Sequence, residues 1–233
     1  MQIIKVASYD EMSRRVADLI IAQISAKPNS VLGLATGSTP VGAYRLLRES
    51  GADFSGLTTI NLDEYCGLPP THPQSYRRFM DENLFNHINI DRSRTHVPDG
   101  MAANPAAEAE RYEALIKSLG GTDLQLLGLG HNGHIAFIEP GDELPAETCR
   151  VFLDEQTIKA NSRFFDSADD VPKCAISMGI KTIMNAKKIV LAVSGCDKAD
   201  ALKKALYGGV TTRVPASVLQ LHNDIIVVTD CLG

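Results

Sequence analysis

Val31-Leu32-Gly33-Leu34-Ala35-Thr36-Gly37-Ser38-Thr39-Pro40, running on into Val41 to Leu47, reads as a strand, a turn and a helix in immediate succession. The apolar run Val31 to Ala35 is short and bounded by turn residues, as a buried strand requires. Thr39 is placed to cap the helix, with Pro40 at the first helical position, where its missing N–H costs nothing. The same unit recurs along the chain. Ile3 to Val6 is a strand, and Asp10 can cap a helix with the apolar stripe Met12, Val16, Leu19, Ile20 and Ile24, ending near Pro28-Asn29. Thr58 to Leu62 is a strand and Ser75 to Phe85 a helix. Asn104-Pro105 opens a helix that turns Tyr112, Leu115, Ile116 and Leu119 to the core before Gly120-Gly121 ends it. Leu124 to Leu129, Ile189 to Val193 and Ile225 to Thr229 are further strands, with a helix over Lys198 to Tyr207 between the last two. This alternation predicts an α/β fold: a doubly wound, mostly parallel sheet with helices on both faces. No linker or repeat interrupts it, so residues 1–233 are expected to form a single domain.

Bulk properties narrow the function. A net charge of −5 with no basic run argues against a nucleic-acid partner. No apolar stretch is long enough to span a bilayer, and Met1 to Arg15 lacks a signal-peptide core, so no membrane is expected and the cytoplasm is the expected location. Cys66, Cys149, Cys174, Cys196 and Cys231 are scattered and never form a C-x-x-C pair. That suits a reducing compartment and argues against a disulfide framework or a thiolate zinc site.

In sheets of this kind ligands bind beyond the carboxyl ends of the strands. Three polar segments follow strands directly and should open on one rim. The first, Thr36 to Pro40, offers backbone N–H groups and hydroxyls at a helix start, a place for an anion such as a phosphate ester, though the same residues also suit a plain capped helix. The second is Asp63-Glu64. Adjacent carboxylates in extended chain point to opposite sides, so one can face the cleft as a carbon-acid base while the other makes structural contacts. A solvated turn is the alternative.

The third is Gly128-Leu129-Gly130-His131-Asn132-Gly133-His134-Ile135-Ala136-Phe137-Ile138-Glu139-Pro140. Its first six residues spell G-x-G-x-x-G, but Pro140-Gly141 breaks the helix a dinucleotide site needs, which argues against a nicotinamide or flavin cofactor. His131 and His134 lack the helical face of a H-E-x-x-H metal pair. His134 with Glu139 instead resembles an imidazole–carboxylate acid/base couple, against the alternative of a histidine satisfied by a backbone carbonyl. Lys198, in the first turn of a helix, and Arg163, beside aromatics, are either surface cations or clamps for a bound anion.

Taken together, LGLATGSTP, NLDEY, GLGHNGHIAFIEP, ANSRFF and the Lys198 segment, in that order, resemble the glucosamine-6-phosphate deaminase (isomerase) family. The resemblance implies conversion of D-glucosamine 6-phosphate and water to D-fructose 6-phosphate and ammonia, with no metal and no organic cofactor. It implies that His134, supported by Asn132 and Glu139, moves the proton that opens the pyranose ring. It implies that Asp63 takes the C2 proton, and that Gly37, Ser38, Thr39, Arg163 and Lys198 hold the phosphate.

The chain departs from the family where it carries Asn132 for a common aspartate and Ile138 for a common asparagine. The stretch Leu144 to Val151 does not match the arginine–lysine pattern with which long members bind an N-acetylated activator. An unregulated enzyme is therefore expected, as a monomer or small homo-oligomer. The rival readings are a 6-phosphogluconolactonase, whose loop continues differently after the second histidine, and a non-catalytic sugar-phosphate sensor, which would not need an acid/base pair.

Overall fold

A computed structural model describes residues 1–153, 165, 167 and 171–232. Among them the chain runs β1 (Gln2–Lys5), α1 (Tyr9–Ala26), β2 (Val31–Leu34), α2 (Val41–Glu49), β3 (Thr58–Asn61), β4 (Asp63–Tyr65), α3 (Tyr76–Asn83) and β5 (Thr95–His96). It continues α4 (Pro105–Ser118), β6 (Leu124–Leu127), β7 (Cys149–Phe152), β8 (Cys174–Ser177), α5 (Ile180–Met184), β9 (Ile189–Val193), α6 (Ala199–Tyr207) and β10 (Ile225–Thr229).

The central sheet has the order β1-β10-β9-β6-β2-β3-β5, and every pairing in it is parallel. β2, β6, β9 and β10 are buried along their whole length, so both faces of the sheet are covered. That explains their unbroken apolar sequences. α1 lies on β9 and β10 and packs against α2, while α4 lies against β7 and β8. From β2 the chain winds outward through β3 to β5, then returns to the other side of β2 with β6 and winds outward again. The order reverses between β2 and β6, and at that point the loops after neighbouring strands part to leave a crevice.

A second sheet, β4-β8-β7, is antiparallel and was not anticipated in the sequence. The segment Asp63 to Tyr65, expected as part of the rim, is one of its strands. Leu62 is the junction. Its N–H donates to Leu34 O in the parallel sheet (3.2 Å), and its carbonyl accepts from Met178 N in the antiparallel one (2.9 Å).

Two capping expectations change. Ser8, not Asp10, caps α1: it is extended, and its Oγ accepts from Glu11 N (3.3 Å). Thr39 does not cap α2. That helix starts at Val41, with Pro40 in the cap position and no side-chain cap bond. Tyr9 of α1 takes over the task, its hydroxyl accepting from Gly42 N (2.8 Å) and donating to Ser38 O (3.0 Å). Likewise α3 stops at Asn83, short of Phe85, and Lys198 ends a 3₁₀ turn, Cys196–Lys198, just before α6.

Candidate active site

A cleft of about 290 Å³ opens over the reversal of strand order. Its walls are the segments that follow β2 (Ala35 to Thr39), β3 (Leu62 and Asp63) and β6 (Gly128 to His131), with His134, Ala136, Phe137, Tyr76 and Lys198. The structure thus brings together Gly37, Ser38, Thr39, Asp63, His134 and Lys198. Asn132 and Glu139 stand behind His134. Arg163 lies outside the described residues.

Asp63 and Glu64 are both buried but serve different surroundings. Glu64 accepts from Ser75 Oγ (2.8 Å) and from the backbone N–H groups of Tyr76 and Arg77 (both 2.9 Å), so its carboxylate seats the start of α3. That contact presents Tyr76 to the cleft. Asp63 faces the cleft, where burial, and next the charge of Glu64, push its carboxyl up to about 8. Tyr76 stacks on Phe137 with ring planes 5° apart and reaches the Tyr65 hydroxyl at 3.4 Å. This aromatic wall gave no local signal in the sequence, since a tyrosine in the first turn of a helix is commonplace.

The histidine loop is held by its own side chains. Asn132 Nδ2 donates to Glu139 Oε2 (2.6 Å), and Asn132 Oδ1 lies 2.8 Å from His134 Nδ1. An ionised carboxylate only accepts, so Glu139 turns the amide nitrogen toward itself and the amide oxygen toward the imidazole. That oxygen in turn requires the proton on His134 Nδ1, which leaves Nε2 with its lone pair. Glu139 Oε2 is itself 3.3 Å from Nδ1. Gly133 has φ +89°, and Ala136, at φ 51°, is the non-glycine with positive φ among the described residues, a strained conformation at the cleft wall.

Gly130 is needed for a different reason. A Cβ there would stand 2.3 Å from His134 Cε1. Gly130→Ala is therefore expected to push the ring aside and lower kcat by about 10²-fold while the protein stays folded. An unchanged kcat would show that the ring has other room.

Lys198 sits in a turn built by Asp230, whose carboxylate accepts from Ser194 Oγ (2.6 Å) and Gly195 N (3.0 Å). Burial lowers the Lys198 ammonium below its usual value, with Asp197 and Cys231 opposing. An anion in the cleft would favour the charged form. Asp197 also receives His131 Nε2 at 2.6 Å, joining the histidine loop to the lysine turn. Arg150, the cation within Leu144 to Val151, is placed over the Phe152 ring at 4.7 Å. Among the described residues no group of three or more histidine, cysteine, aspartate or glutamate side chains is placed to hold a metal ion.

The family model described as glucosamine-6-phosphate isomerases/6-phosphogluconolactonase matches residues 5–227. The chain belongs to this family. Within the glucosamine-6-phosphate isomerase/6-phosphogluconolactonase family, it is 57% identical over 232 residues to the glucosamine-6-phosphate deaminase of Lachnoclostridium phytofermentans, the match covering 98% of each chain. A solved monomeric glucosamine-6-phosphate deaminase superposes with a TM-score of 0.95 at 46% identity, covering 98% of this chain and 97% of its own. The 6-phosphogluconolactonase of Trypanosoma cruzi gives 0.81 at 21% identity, over 99% of this chain and 94% of its own, a likeness of fold.

Proposed function

We propose that this member of the family is a glucosamine-6-phosphate deaminase, converting D-glucosamine 6-phosphate and water to D-fructose 6-phosphate and ammonia. The observation that carries the reading is one cleft faced by both a buried carboxyl and an imidazole of fixed tautomer, beside the Gly37-Ser38-Thr39 turn. Sequence identity of 57% with a deaminase along the whole chain supports it.

The steps follow from the groups present. The phosphate rests on the Gly37-Ser38-Thr39 turn and Lys198, with Arg163 as a further clamp. His134 Nε2 accepts the proton of the O1 hydroxyl and returns it to the ring oxygen, opening the pyranose. Asp63 then removes the C2 proton, giving an enolamine. Reprotonation at C1 leaves an imine at C2, and water adds there to expel ammonia. Fixing the phosphate sets C1 and C2 against both bases, and such positioning supplies much of the rate. Apolar walls around Asp63 suit the task, because a carboxylate of raised basicity is the stronger base toward a carbon acid.

Asn132 holds the imidazole without carrying charge. In Asn132→Asp a second carboxylate would stand against Glu139 and His134 and stabilise the imidazolium. Activity is expected to persist, with the acid limb of kcat/KM moved to higher pH. A superimposable pH profile would remove Asn132 from the relay.

We read residues 1–233 as a single domain acting as a cytoplasmic monomer without an allosteric activator site. Similarity to a monomeric deaminase supports the oligomeric part. No helix among the described residues is long and apolar enough to cross a membrane. Ammonia release from glucosamine 6-phosphate, measured beside hydrolysis of 6-phosphogluconolactone, tests the function. Lactone hydrolysis without ammonia release would overturn it.

A further inference from the structure

We propose that Cys66 and Cys174 form a reversible disulfide on exposure to peroxide, a modification site separate from the proposed chemistry of the cleft. The register of the small sheet places them opposite one another. Tyr65 pairs with Ala175 in β4 and β8, so the next step of the antiparallel ladder joins Cys66 and Cys174, and Cys66 N donates to Cys174 O at 2.9 Å. Directly opposed residues of a hydrogen-bonded pair share a face, with Cα atoms about 5.5 Å apart, inside the range that a disulfide spans. The Cys174 thiol is near enough to help burial hold the Cys66 thiol above its usual value. Both residues are partly exposed.

The remaining cysteines do not compete. Cys149 pairs with Ser177, three places along the ladder and on the opposite face from Cys174. Cys196 lies beyond β9 and Cys231 beyond β10, away from this sheet. Burial pushes the Cys66 thiol up to about 12, which disfavours Cys66 as the attacking thiolate. The Cys174 thiolate attacks one peroxide oxygen and breaks the O–O bond, giving a sulfenic acid and hydroxide, which takes up a proton to become water. The Cys66 sulfur then attacks the sulfenyl sulfur, and its proton leaves with the departing hydroxyl as a second water. A thiol reductant reverses the bond by exchange.

The test treats the full-length protein with hydrogen peroxide, alkylates free thiols and maps the peptides by mass. The expected product is a Cys66–Cys174 linked peptide, lost on adding dithiothreitol and absent from Cys66→Ser and Cys174→Ser. In Cys66→Ser, Cys174 is expected to stop at a sulfenic acid that dimedone traps. Oxidation confined to Cys196 or Cys231, or no linked peptide with either peroxide or diamide, would overturn the proposal. Neither result depends on which sugar phosphate the cleft takes.

Discussion

Asp63→Asn is expected to lower kcat by roughly 10³–10⁴-fold with little change in KM, because the amide keeps the shape of the carboxyl but cannot accept the C2 proton. A carboxyl pushed up to about 8 has a second consequence: in the wild type kcat/KM should rise with pH along a limb near 8, and the Asp63→Asn variant should lack that limb. The bound substrate brings its own ammonium group close to this carboxyl. That charge favours the ionised form, so the same limb in kcat is expected at lower pH.

Stability moves the other way. The folded carboxyl titrates near 8 and the unfolded one near 3.8, so between those values the native state holds a proton that the unfolded chain has lost. Stability from this group is complete below the lower value and is lost as pH rises through the upper one. Asp63→Asn should therefore unfold at a higher temperature than the wild type, by a margin that widens up to pH 8 and then holds. Activity retained in the variant, or a margin that shrinks with pH, would remove Asp63 from the role of buried base.

His134→Gln should cost roughly 10²–10³-fold in kcat, less than the loss of Asp63, since sugar rings also open slowly without help. The two variants are separable by isotope effect. With deuterium at C2, residual turnover of Asp63→Asn should show a full primary effect, because C–H cleavage limits it. In His134→Gln ring opening becomes limiting, and the effect should fall toward unity. An undiminished C2 effect in His134→Gln would show that the imidazole acts at another step.

The parallel half of the fold was legible for a physical reason. Strands covered on both faces are apolar throughout, and Ile189 to Val193 and Ile225 to Thr229 announce themselves without help from neighbours. The antiparallel sheet was hidden because its strands carry other information. Asp63-Glu64-Tyr65 reads as chemistry, and Cys149 to Phe152 alternates between half-buried and exposed with no bulky apolar pattern. Caps failed where the partner is distant: the hydroxyl that serves the start of α2 comes from Tyr9, and no local rule finds it. In the site, Asp63 and the histidine loop could be picked out because they follow strands and stand in a recognisable order. Tyr76 could not, since its place in the cleft depends on Glu64 gripping α3.

Leu62 joins the two sheets, and Asp63 is the next residue. The proposed base is thus anchored by two hydrogen-bond ladders, and its position is settled only when both have closed. A refolding chain with the long sheet and the Gly37-Ser38-Thr39 turn assembled would still lack a placed carboxylate until the small sheet docks. Recovery of sugar-phosphate affinity would then precede recovery of turnover, and the interval between them would time the docking of the small sheet onto the large one.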